Sequence, residues 1–116
     1  MMAENGSSEN KEEWIKRIEA EGRAKSNPTE DHDVGLKTLQ NPIRRNLARL
    51  LSTGPLSLDF IQNELDLSKS EAKFHIDMLE NALYVDKVAI DGQTIYQLSP
   101  RGAGFLKNVR VGGKNE

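Results

Sequence analysis

Ser70, Lys73, Phe74 and Asp77 recur at the spacing of one helical face, opposite the apolar stripe Ala72, Ile76 and Leu79. Such a face supplies hydrogen bonds, charge and one aromatic ring, which is the chemistry of binding rather than of bond breaking. A second charged group, Arg44, Arg45 and Arg49, alternates with Ile43, Leu47, Leu50 and Leu51, and so is expected on the outer side of an amphipathic helix. Catalytic chemistry has no comparable support. The chain has no cysteine, so disulfides and thiolate metal sites are excluded. Its two histidines, His32 and His75, cannot build a zinc site alone, and no nucleophile is paired with a base, nor is there a glycine-rich phosphate loop. An enzyme is not expected, and neither is a metal or another cofactor.

The elements that position these residues follow from caps and periodicity. Asn41 and Pro42 open the arginine-bearing helix, which Ser52-Thr53-Gly54-Pro55 ends. Ser57 caps a short helix over 58–64, with Phe60 or Ile61 and Leu65 pointing inward. After the tight connection Asp66-Leu67, Ser68 caps a third helix running to about Ala82. Two short helices joined this way form a helix-turn-helix arrangement. Two β-prone runs around Asp91-Gly92 then predict a hairpin in which Val88 faces Ile95 and Lys87 faces Tyr96. Ser99 and Pro100 begin a last helix carrying Ala103, Leu106 and Val109. The expected core is Leu47, Leu50, Ile61, Leu65, Ala72, Ile76, Leu79, Val88, Ile95 and Leu98.

At 116 residues the chain is one domain's worth of sequence. Residues 1–33 read as an acidic extension, with 9 acids against 5 bases, a disordered start over 1–10, a helix over 11–25 and a polar linker over 26–33. Residues 34–110, with 10 bases against 8 acids, form the mildly basic domain, and 111–116 a flexible tail. Trp14 and Ile18 lie four apart on the N-terminal helix, which reads either as a solvated, fraying extension or as a helix that docks these two residues on its own domain or on a second subunit. No leader-like segment opens the chain and no apolar run is long enough to span a bilayer, so a soluble cytoplasmic protein without a membrane partner is expected.

Five stretches of sequence occur in an informative order: Leu39-Gln40-Asn41-Pro42-Ile43-Arg44-Arg45; Gly54-Pro55-Leu56-Ser57; Leu67-Ser68-Lys69-Ser70; His75-Ile76 with Leu79-Glu80; and Tyr96-Gln97-Leu98-Ser99 with Gly102. Together, over roughly residues 36–107, they resemble the ArsR-like winged helix-turn-helix regulators of bacteria and archaea. The resemblance implies a mainly α fold with a small β-hairpin wing and here an added N-terminal helix. It implies a homodimer on double-stranded DNA, with residues 68–82 as recognition helix in the major groove and the wing, 85–98, on the backbone or minor groove. On that basis Ser68, Lys69, Ser70, Glu71, Lys73 and Phe74 are the recognition-helix candidates. Lys87 and Gln93 belong to the wing, and Arg44 and Arg45 are added phosphate contacts. Trp14, Ile18, Leu106 and Val109 are the dimerisation candidates.

The chain departs from that family pattern in four ways. It lacks the thiols of metal-sensing members; Glu71 and Asp77 place acid on the reading face; Asp91-Gly92-Gln93 lacks wing arginines; and Leu83 replaces the usual glycine, so that helix end is expected to be less sharply terminated. Bland readings stand beside the functional ones. His75 is favoured as a structural histidine, Phe74 is open between groove contact and core, and the three arginines could simply solubilise a helix face. The acids on the reading face favour an alternative function, a winged helix that docks a protein partner without strong DNA binding.

Overall fold

The computed structural model describes residues 9–24 and 27–112, side chains at 28 and 108–112 excepted. Six helices and three strands follow in order: α1 Lys11–Ala20, α2 Pro28–Leu39, α3 Pro42–Leu51, β1 Leu56–Ser57, α4 Leu58–Leu65, α5 Lys69–Asn81, β2 Val85–Ile90, β3 Gln93–Leu98 and α6 Pro100–Gly112. The helix starts are chemically explicit. Side-chain oxygens of Asn10, Asn27, Asn41, Ser57 and Ser68 each accept backbone N–H groups of the first turn that have no partner inside the helix.

The same capping logic corrects the linker expected over 26–33. Pro28 does not break a helix; it occupies the first position of α2, where its missing N–H costs nothing, while Asn27 Oδ1 accepts from Thr29 and Glu30 at 2.9 and 3.2 Å. The expected boundary at residues 33 and 34 therefore falls inside a helix. At the other end α6 continues to Gly112, two residues into the expected tail. The expected disorder over 1–10 lies outside the described residues except for Glu9 and Asn10, of which Asn10 caps α1.

Leu47, Leu51, Ile61, Ala72, Ile76, Leu79, Val85 and Tyr96 form the main core. The expected helical core residues Leu47, Ile61, Ala72, Ile76 and Leu79 are all in it, and Leu50, Leu65 and Leu98 pack against it while partly buried. Val88 and Ile95 are only half-buried, and Val85 and Tyr96 take the places expected of them. Burial along β2 fades from its first residues to its last, so only the base of the hairpin reaches the helices.

The hairpin has the expected register, Val88 opposite Ile95 and Lys87 opposite Tyr96, turned by Asp91 and Gly92 at φ 53° and 76°. β1 adds a third antiparallel strand through Leu56 and Tyr96, giving the order β1-β3-β2. The end of α5 is sharper than expected. Leu83 takes the left-handed conformation at φ 69°, its N–H donates to the Glu80 carbonyl, and the Tyr84 N–H donates to the Leu79 carbonyl at 2.9 Å. This is the double hydrogen bond of a glycine-type helix stop made with leucine. The left-handed backbone costs about 1–2 kcal/mol, and burying a leucine side chain returns about 1.5–3 kcal/mol.

What buries Leu83 is α1. Trp14 and Ile18, 3% and 4% exposed, pack with Leu83 in a second small apolar cluster. Beside it, Asp86 on β2 is 1% exposed. Its carboxylate accepts from Trp14 Nε1 at 3.4 Å, Arg17 Nη2 at 3.1 Å and Arg23 Nη1 at 3.1 Å. Of the two dockings open to Trp14 and Ile18, the structure shows the one on their own domain. Their use as subunit contacts is corrected accordingly, because their apolar surface is already consumed within the chain. Leu106 is likewise buried, and the side chain of Val109 lies outside the described residues.

Candidate nucleic-acid interface

Asp66, left-handed at φ 56°, ends α4, and the Leu67 N–H returns to the Gln62 carbonyl at 3.0 Å, so the chain turns within three residues into α5. Ser68 and Glu71 then close a capping box: Ser68 Oγ accepts the Glu71 N–H at 3.1 Å and Glu71 Oε1 accepts the Ser68 N–H at 2.9 Å. The Ser68 backbone N–H first, and then the Ser68 side chain, hold the Glu71 carboxyl below its ordinary range. Glu71 is thus anionic and engaged with its own helix start. Ala72, Ile76 and Leu79 are fully buried and fix the helix, leaving Lys69, Ser70, Lys73, Phe74 and Asp77 exposed.

The exposed face is less cationic than its lysines suggest. Lys73 Nζ donates to both oxygens of Asp77 at 2.9 and 2.8 Å, one helical turn on, and this hydrogen bond raises the lysine's pKa. Phe74 resolves its open alternative outward, at 57% exposure. On the wing, Lys87 and Gln93 are exposed, with Lys87 Nζ 3.9 Å from the Glu80 carboxylate of α5.

Arg44 is the clearest correction among the site candidates. Expected outward, it is 8% exposed, with Nε donating to the Thr38 carbonyl at 2.7 Å and Nη1 donating to His75 Nδ1 at 3.2 Å. The helix α2, not foreseen in sequence, covers that side of α3 and supplies the carbonyl, so Arg44 is an internal strut rather than a phosphate contact. An arginine offers no acceptor, so Nδ1 of His75 must be unprotonated. Burial, reinforced by the Arg44 charge, lowers the His75 pKa, in keeping with a neutral ring. His75 is structural, as favoured. Arg45 is partly engaged in the same way, donating to the Leu39 carbonyl at 2.7 Å, and remains half-exposed.

Two groups of charged residues went unforeseen. The Asp86–Arg17–Arg23 cluster holds α1; the Asp31–Arg101 ion pair ties α2 to α6, with Arg101 also donating to the Ala82 carbonyl at 3.0 Å. Neither has a periodic signature, because the partners are distant in sequence.

No protein-family model matches the sequence, and no curated protein does either. Solved structures do match. A fragment of a possible transcriptional regulatory protein from Mycobacterium bovis superposes with a TM-score of 0.69 at 17% identity, over 78% of this chain and 99% of that one. HlyU from Vibrio cholerae gives 0.64 at 21% identity, over 74% of this chain and 95% of its own. The solution structure of a homodimeric winged helix-turn-helix DNA-binding domain from Mycobacterium bovis, described as a possible ArsR-family transcriptional regulator, gives 0.64 at 16% identity, over 93% and 91%. This chain has the winged helix-turn-helix fold. In the winged helix, α4 and α5 are the helix-turn-helix, β2 and β3 the wing, and α1 is a helix packed outside that unit. Among the described residues no helix is long and apolar enough to cross a membrane.

Proposed function

We propose that this winged helix is a sequence-specific, double-stranded-DNA-binding transcriptional regulator of the ArsR-like kind, working in the cytoplasm as a homodimer. The observation that carries the reading is the α5 face itself: Lys69, Ser70, Lys73 and Phe74 stand exposed on a helix whose opposite stripe is fully buried. That leaves short polar groups, lysine and an aromatic ring free to enter a major groove. Ser68 and Glu71 serve this surface by organising its first turn. Lys87 and Gln93 serve from the wing, and Arg45 contributes the part of its guanidinium left in water. The homodimer is supported by the homodimeric Mycobacterium bovis neighbour.

The test is binding to random duplex DNA across a salt series, with light scattering of the free protein. Affinity is expected to fall linearly in logarithmic salt, and Lys87→Ala to flatten the slope by about one unit. A homodimer is expected by scattering. Absence of binding at low salt would transfer the surface to the second reading, docking of a protein partner, which the self-paired Lys73 and Asp77 favour.

A further inference from the structure

Phe74 is the most exposed large apolar side chain among the described residues, and it stands in the second turn of the proposed reading helix. It is also braced. Its ring meets that of His75 edge to face, 5.2 Å between centroids at 69°; His75 is gripped by Arg44 at 3.2 Å, and Arg44 by the Thr38 carbonyl at 2.7 Å. A chain of contacts thus runs from α2 through α3 to the exposed ring. Two of its polar neighbours are already partnered, Lys73 with Asp77 and Glu71 with Ser68. What this turn presents outward is an apolar ring beside a neutralised ion pair.

Base edges differ in what they lose against such a ring. A purine N7, a carbonyl oxygen or an amino group would give up water without gaining a hydrogen bond. A methyl group at C5 of a pyrimidine gives up only water that solvated it poorly. In the major groove thymine carries that methyl, and cytosine carries the same group when methylated at C5. We propose that Phe74 determines specificity by reading a pyrimidine 5-methyl group in the major groove. The inference rests on the placement of α5 in that groove proposed above.

A duplex is selected from a random pool with the full chain, and each thymidine in it is replaced in turn by deoxyuridine, which pairs identically and lacks only the methyl. Replacement at one or two positions should weaken binding about fourfold, the factor that corresponds to about 0.8 kcal/mol for one buried methyl-sized group. Phe74→Ala, with an unchanged melting temperature, should bind both duplexes equally, and Phe74→Leu should keep part of the preference. Methylating each cytosine at C5 separates the two sources: a fourfold gain there, with no response to deoxyuridine, assigns the methyl to modified cytosine instead of thymine. Indifference to the methyl at every pyrimidine, or a preference retained by Phe74→Ala, overturns the inference while salt-dependent binding keeps the DNA reading intact. Failure to select any duplex overturns that reading and the inference with it.

Discussion

The main core and the α1 cluster are both built on apolar side chains, but they are closed by different means. Around Ile76 and Leu79, residues from α3, α4, α5, β2 and β3 meet, aliphatic except for the aromatic Tyr96. Around Trp14, Ile18 and Leu83 only three buried apolar residues meet among the described residues, and the seal beside them is the Asp86 carboxylate with Arg17 and Arg23. Dispersion and water exclusion suffice for the first. The second, too small to hold a helix by area alone, adds charge-assisted hydrogen bonds to a carboxylate buried at the foot of the wing. Its cations remain partly in water, with Arg17 also bonded to Glu9, which is the first cause of that arginine's raised pKa. The main core therefore carries the domain's stability, and the α1 cluster carries the attachment of one helix.

Substitutions can break this contrast in order of size. Ile76→Ala opens the closed core and should cost about 2–5 kcal/mol, read as a single cooperative transition in chemical denaturation. Asp86→Ala should cost about 2 kcal/mol, discounted from the ~3–5 kcal/mol of a broken buried pair because both arginines keep access to water. Its signature differs from that of Ile76→Ala: Trp14 fluorescence should shift toward that of an exposed indole while far-ultraviolet dichroism of the remaining helices persists. A simultaneous loss of both signals would erase the distinction between the two regions.

Leu83 sharpens it further, since the same residue is strained and packed. Leu83→Ala loses the packing and keeps the left-handed strain, whereas Leu83→Gly loses the packing and sheds the strain. The glycine variant should therefore be the more stable by about 1–2 kcal/mol in thermal or denaturant unfolding. Equal stabilities would mean that the strain at Leu83 is relieved by some other adjustment.

The smallest effect is a pH dependence on the core side of the comparison. His75 has a depressed pKa in the folded chain, chiefly from burial and then from Arg44. As pH falls below the unfolded value of about 6.5, the unfolded chain takes up a proton that the folded one refuses. Stability is thus full above that value and declines as the pH drops toward the folded pKa. His75→Gln, which can accept from Arg44 without titrating, should flatten this decline in denaturant midpoints measured from pH 7.5 to 5. Lack of any difference between the slopes would show that His75 protonates freely in the folded state.

Much of this molecule is local and was legible in its sequence. Asparagine and serine caps, the 3.6-residue stripes of α3 and α5, and the paired positive φ angles of Asp91-Gly92 act within a few residues, so they set helix starts, buried faces and hairpin register by themselves. The outward placement of Ser70, Lys73 and Asp77 follows from the same periodicity. Only tertiary structure decided what those elements do to each other. Pro28 is punctuation in sequence but a helix start once Asn27 caps it, and the helix it begins turns Arg44 inward. Asp86 carries no sign of burial in a strand where Val85 beside it is also buried, because α1 and the core cover the two faces of that strand separately. Partners such as Trp14 and Asp86, 72 residues apart, are joined by folding, not by any pattern along the chain. Helix and turn chemistry is short-ranged and can be read residue by residue; the pairing of buried charges needs the whole fold, because only burial makes an unpaired charge costly enough to demand its partner.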